Sequence, residues 1–185
     1  MQVLDQFDAL FPAVGAVVGR LAPEQLDLTT ACTEFTVRGV LEHMIAGATT
    51  FSGAFRGGSP APPADGDVLS RFGAAMADLR GAVGSAGALD RTIAAPFGEV
   101  SGDAFARFVV LDGLVHGWDL STSTGYPYAP PAVLVEDVHA FAREAITPAM
   151  RDAGMFAEPT QPPADATPLE HLVALTGRVV TRNAA

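Results

Sequence analysis

Apolar residues recur every three or four positions along most of the chain, a spacing that predicts amphipathic helices. The first helix is predicted over residues 4–21, where Pro12 should kink or locally break it. The second should begin after Thr36, a good N-cap, and end at the two glycines of residues 57–58. Each presents one apolar face, as expected of helices that pack in a bundle.

The rest of the chain continues the helical pattern with one interruption. A third helix is predicted from about Asp67, and residues 105–118, apolar nearly all round, predict a central fourth helix. A fifth should cover residues 132–147 and stop at the proline that follows, and a short last helix should begin near Pro168. Residues 91–102 break the pattern and predict a loop or a short hairpin.

These elements predict an all-α fold, a helical bundle with an extra short C-terminal helix and a loop or short hairpin. A chain of 185 residues suits one domain over residues 1–185. The one cysteine, Cys32, excludes an intramolecular disulfide and fits a reducing compartment. The N-terminus lacks the basic start of a signal peptide, and no apolar stretch is long enough to cross a membrane. We therefore expect a cytoplasmic protein.

The charge of the chain limits the classes of molecule that we expect it to bind. The formal net charge is -10, from 11 basic and 21 acidic residues. Such a chain repels nucleic-acid phosphates and anionic membrane surfaces, so neither is expected as a partner. Small molecules, metal ions or a second copy in a homodimer remain as the expected partners.

One carboxylate interrupts the apolar fourth helix. Asp112 and His116 are four residues apart, so both side chains leave the same helical face, which should look into the core. An isolated ionised carboxylate in a core is very costly, so something must neutralise Asp112. A metal ion would do so, and so would a buried ion pair between the two side chains. The spacing alone favours the ion pair and leaves the metal open.

His43 offers a third donor from another helix. It lies at the edge of the apolar stripe of the second helix, and Gly47, one turn later, leaves room beside the imidazole. Two imidazoles and one carboxylate from two bundle helices can close on one cation. Three protein ligands leave a position for water or substrate, which is typical of catalytic metal sites. This donor set suits Zn²⁺ and also Ni²⁺ or Fe²⁺.

Two segments carry a family resemblance. Residues 32–43, CTEFTVRGVLEH, resemble the CTEWTVRDLLxH signature of mycothiol-dependent maleylpyruvate isomerase-like proteins of the DinB-like metal-binding superfamily. Residues 112–120, DGLVHGWDL, resemble the E/D-xxx-HGWDL motif of that family. The resemblance covers roughly residues 1–180. It implies a four-helix-bundle core, a divalent metal held by His43, Asp112 and His116, and mycothiol as the thiol cosubstrate.

The chain also departs from that family in three ways. The isomerase has Glu at the position of Asp112, Phe35 replaces the usual Trp, and no extended C-terminal domain is evident. The resemblance therefore implies metal binding more strongly than isomerisation of maleylpyruvate. Two functions stay open: a metal- and thiol-dependent transferase or isomerase acting on a small electrophile, and a non-catalytic metal-binding or dimerising module.

Two further residues have alternative interpretations. Cys32 precedes a helix start, which can lower a thiol pKa and make a nucleophile, but a small buried apolar residue is the favoured interpretation. Asp119, one turn beyond His116, could accept a hydrogen bond from an imidazole ligand or pair with an arginine.

Overall fold

The computed structural model describes residues 1–62 and 64–181 of the chain. The described part is mostly helical with one small hairpin, which confirms the all-α prediction. Its elements, in chain order, are α1 (Val3–Val18), a short 3-10 turn (Pro23–Gln25), α2 (Val37–Arg56), α3 (Val68–Val83), β1 (Thr92–Ala95), β2 (Gly98–Ser101), α4 (Gly102–Thr124), α5 (Ala132–Ala145), α6 (Pro148–Asp152) and α7 (Pro168–Leu175).

The helix starts follow the capping chemistry of the sequence. The Thr36 hydroxyl accepts a hydrogen bond from the Gly39 amide at the start of α2, as predicted. Asp67 caps α3 through the Ser70 amide in the same way. Gly57, with a left-handed φ of 69°, ends α2, so both predicted limits of this helix are confirmed.

The structure differs from the predictions at two prolines. Of the kink or local break predicted at Pro12, the break does not occur, because α1 runs without interruption from Val3 to Val18. A proline removes one intrahelical hydrogen bond, and the packing of the apolar face of α1 outweighs that loss. Pro148 does not simply stop the fifth helix: α5 ends at Ala145, and Thr147 caps a new short helix, α6, with Pro148 in its first turn.

The hairpin fixes the start of the central helix. Strands β1 and β2 are antiparallel, with Thr92 opposite Ser101, and the Ser101 hydroxyl then caps α4 through the Ala104 amide. The next residue, Gly102, lies against the backbone of Ala88, where a Cβ would stand 2.1 Å from the carbonyl oxygen. Only glycine fits this close approach, so the hairpin and the start of α4 are held against the end of α3.

The long helices pack so that α2 and α4 bring the candidate donor residues together. Helices α2 and α4 are antiparallel, since Phe55 contacts Phe105 near one end and His43 faces Asp112 nearer the other. Helix α1 packs on α4. Helices α5 and α7 pack on one another and also contact α4. The buried apolar residues of these helices form one core cluster. No helix in the described residues combines the length and apolar character needed to cross a membrane.

Candidate metal centre

The three donors predicted from sequence lie together in the structure. One ligand atom each from His43, Asp112 and His116 lies within 4.8 Å of the other two. The Asp112 Oδ1 atom is 3.5 Å from the His43 Nε2 atom and 3.4 Å from the His116 Nε2 atom. Two helices therefore aim both imidazoles at one carboxylate oxygen.

Local packing orients the two imidazoles. The ring of His43 lies 5.3 Å from the ring of Phe35, which precedes α2, and 4.9 Å from the ring of His116. His116 is buried, with 6% of its side chain exposed, whereas 41% of the His43 side chain is exposed. His43 thus forms the open side of the site and His116 its floor.

A second carboxylate fixes His116 from behind. The His116 Nδ1 atom is 3.0 Å from Oδ2 of Asp119, whose side chain is fully buried. A hydrogen bond from Nδ1 leaves the Nε2 lone pair free to face His43 and Asp112. Both interpretations of Asp119 are confirmed, since it receives this contact and also pairs with an arginine.

That arginine is Arg178, which sequence reasoning missed. Its Nη2 atom donates to Asp119 Oδ2 over 2.9 Å and its Nε atom to Oδ1 over 3.3 Å. Arg178 follows α7 and lies far from the site in sequence, outside either motif. The one available signal was the demand of a buried Asp119 for a cationic partner.

Charged neighbours shift the pKa values of Asp112 and His116. Burial raises the pKa of the Asp112 carboxyl, but His116 and then His43 outweigh it and hold that pKa well below its ordinary range. Burial lowers the pKa of His116, but Asp112 and then Asp119 outweigh it and raise that pKa to about 9. The site is therefore built for a cation beside Asp112, either an imidazolium or a metal ion.

Asp112 faces the interior of the bundle as predicted, but it is only partly enclosed. Its side chain is 42% exposed and borders the space in front of the donors. The helical face was predicted correctly, but the bundle is not closed there. The carboxylate is thus partly hydrated, and the neighbouring histidines need not neutralise a fully desolvated charge.

A cavity of about 370 Å³, here called the metal-site cavity, opens in front of the three donors. Its walls are mainly apolar and aromatic, with Phe97 of the hairpin turn and Phe108 of α4 in contact at 4.6 Å between ring centroids. Cys32 and Arg178 also line it. Burial raises the pKa of the Cys32 thiol, which opposes the nucleophile interpretation. Cys32 is only partly buried, so it does not match the interpretation as a small buried apolar residue either.

Comparisons with known proteins identify the family of the chain. The family model described as mycothiol maleylpyruvate isomerase N-terminal domain matches residues 7–121, more than half of the chain, and these residues include all three donors. Uncharacterized proteins from two strains of Mycobacterium tuberculosis are each 30% identical over 170 residues, covering 91% of this chain and 93% of the relative. No solved structure matches the chain. The chain belongs to the mycothiol maleylpyruvate isomerase N-terminal domain family.

Proposed function

We propose that His43, Asp112 and His116 hold one divalent metal ion, Zn²⁺ first among the candidates. We further propose that the protein uses mycothiol in a transfer or isomerisation reaction on a small electrophilic substrate. The family supports the thiol, and the donor cluster supports the metal.

The spacing of the donors carries the metal proposal. Distances of 3.4 and 3.5 Å between imidazole nitrogens and Asp112 Oδ1 are long for hydrogen bonds, which prefer 2.7–3.2 Å. Ligands held 2.0–2.2 Å from a tetrahedral Zn²⁺ stand about 3.3–3.6 Å apart. Both separations match those expected of ligands that share one ion.

The donor chemistry supports the same choice. Two neutral imidazoles and one carboxylate suit Zn²⁺, with Ni²⁺ and Fe²⁺ as further candidates. Three protein ligands leave at least one position for a substrate or thiol, and the exposed side of His43 faces the metal-site cavity. A metal ion bound there would act as a Lewis acid and lower the pKa of a thiol that approaches it.

Residues around the donors would prepare the reaction. Asp119 holds His116 in the tautomer that presents its Nε2 lone pair. Arg178, at the cavity wall, would keep Asp119 in place and through it the His116 ring. The aromatic wall of Phe97 and Phe108 excludes water from a reactive carbon. The thiol would give up its proton and its sulfur would bond to one carbon of an activated C=C bond, whose π bond breaks while the neighbouring carbon takes up the proton. In an isomerisation, rotation about the resulting single bond would be followed by loss of that proton and cleavage of the C–S bond, which returns the thiol unchanged.

Elemental analysis of the purified protein tests the metal. We expect about one Zn²⁺ per chain and none in His43→Ala, whose fold should persist because this side chain is 41% exposed. His139→Ala is the matched control, since His139 lies on α5 and does not line the metal-site cavity. Wild-type protein that takes up no divalent ion under any loading condition would overturn the proposal.

Thiol consumption tests the reaction. Zinc-loaded protein should accelerate the loss of free mycothiol in the presence of electrophilic acceptors such as maleylpyruvate and activated alkenes, or isomerise maleylpyruvate with the thiol conserved. His43→Ala should lose this activity and His139→Ala should keep it. If the metal binds but neither activity occurs, the protein is a non-catalytic metal-binding module.

A further inference from the structure

A second cavity of about 320 Å³, here called the apolar cavity, lies between α1, α2, α3 and α4. Aliphatic and aromatic side chains and glycines form nearly all of its lining, for example Val14, Phe72 and Met76. Asp112 is the one ionisable residue among the described residues that line it. This volume falls in the range of small-molecule sites. A ligand that enters it must have no polar atoms there, because none of them would find a partner.

The apolar cavity adjoins the metal-site cavity. Phe51, Val109 and Asp112 line both of them, so the carboxylate stands at the boundary between the two. The two cavities are therefore neighbours, with Asp112 in their common wall.

Glycines keep the wall of the apolar cavity bare. Gly15 in α1 and Gly73 in α3 are in helix interiors, and a Cβ at either position would meet no atom within 4 Å. Glycine in a helix interior costs roughly 0.5–1 kcal/mol relative to alanine. Both glycines are exposed and line the accessible side of the apolar cavity, which leaves room for a ligand between α1 and α3.

We propose that the apolar cavity holds the unbranched alkyl or acyl chain of a substrate whose reactive head lies at His43, Asp112 and His116. The position of the head rests on the proposed function. The lining of α1 spans Leu10 to Gly19, about 13 Å of helix. An extended chain advances about 3.6 Å over three bonds, so a tail of roughly ten carbons fills this length.

This assignment divides the two substrates between the two cavities. Mycothiol is rich in hydroxyl groups and would lose its hydrogen bonds among the apolar side chains, so it fits the metal-site cavity with Arg178. The electrophile is then the partner with the alkyl tail. The competing occupant of the apolar cavity is a side chain from a second copy of this protein.

A chain-length series of n-alkyl hydroxamates tests the proposal with zinc-loaded protein. The hydroxamate head binds the metal, and each added methylene should tighten binding by about two- to fourfold. From hexano- to decanohydroxamate the dissociation constant should fall on the order of 10- to 200-fold. Equal affinity across the series would overturn the proposal while leaving the metal site intact.

Paired glycine variants locate the tail. Gly15→Leu combined with Gly73→Leu should fill the apolar cavity, abolish the chain-length dependence and leave acetohydroxamate binding unchanged. Gly81→Leu is the matched control, because Gly81 is also in the interior of α3, would meet no atom within 4 Å, and lines neither cavity. An unaltered chain-length dependence in the double variant would place the tail elsewhere and overturn the proposal.

Metal-free protein separates this proposal from the proposed function. The 1-alkanols from hexanol to decanol carry no metal-binding head, and their affinity should still rise with chain length and be lost in the double variant. If zinc fails to bind but this dependence holds, the proposed function fails and the chain site stands. If wild-type protein is a dimer that the double variant dissociates, and no alkanol binds, a second copy occupies the apolar cavity.

Discussion

At the scale of residues, the site depends on a chain of contacts behind the donors. Arg178 holds Asp119, Asp119 holds His116, and His116 presents Nε2 toward Asp112. Each contact fixes the orientation or protonation of the next side chain. The side chains of Asp119 and His116 are buried. The positions of the three donors are thus set in part by residues outside the donor set.

Asp119→Asn should weaken zinc binding without removing it. The amide keeps the shape of the carboxylate but loses its charge, so His116 becomes a poorer ligand and its orientation is less well fixed. We expect the zinc dissociation constant to rise about 10- to 100-fold in a competition titration with a chelator. Asp103→Asn is the control, because Asp103 is on the same helix and pairs with Arg107 away from the donors. Equal zinc affinity in both variants would remove Asp119 from this role.

The residues of the site also show what could be predicted from the sequence and what could not. His43, Asp112 and His116 were predictable because helical spacing and two motifs placed them on facing helices. Arg178 was not, because a contact across 59 residues leaves no periodic trace. The openness around Asp112 was hidden for a similar reason. It depends on how α1 and α3 pack over the site, which no local pattern encodes.

At the scale of elements, the start of α4 decides where two of the donors lie. The hairpin, the Ser101 cap and the contact of Gly102 with Ala88 together set the position of this helix. The sequence predicted long helices well because each carries several turns of apolar spacing. It missed α6 because a helix from Pro148 to Asp152 is too short to show a period.

Gly102→Ala should destabilise the protein by about 1–3 kcal/mol, the usual cost of forcing extra atoms into a packed site. The new Cβ would stand 2.1 Å from the Ala88 carbonyl oxygen, so α4 or the preceding turn must shift. Urea denaturation measures the change. Gly81→Ala is the matched control and should be neutral or stabilise by up to about 1 kcal/mol, since nothing lies near its Cβ. Equal stability of the two variants would contradict the close contact.

At the scale of the whole molecule, ion pairs join helices that are separate in sequence. Arg80 of α3 pairs with Asp8 of α1 over 2.6 Å, and Arg56 of α2 pairs with Asp78 of α3 over the same distance. These partners are partly exposed, so each pair contributes little at neutral pH. Hydrogen bonding by the arginines nevertheless lowers the pKa of both carboxyl groups. The stability of the bundle therefore depends on pH through these ion pairs between helices.

Stability should fall in acid partly through these two carboxylates. Because the pKa of each is lower in the folded than in the unfolded chain, their contribution is complete above about pH 4 and is lost as pH falls through the folded values. In Asp8→Asn/Asp78→Asn, the loss of thermal stability between pH 5 and pH 2 should be smaller than in wild type. Asp27→Asn removes one charge at an 84% exposed position and serves as the control. An identical acid profile in the double variant would refute the linkage.

The link between Arg178 and Asp119 also bears on how the protein matures during synthesis. Asp119 emerges from the ribosome 59 residues before Arg178, so the bundle segment is translated before these two side chains can pair. A carboxylate buried without its partner is strongly unfavourable. We therefore expect the site to reach its final shape only after the segment that follows α7 has docked and Arg178 has paired with Asp119. This segment lies beyond the family match of residues 7–121.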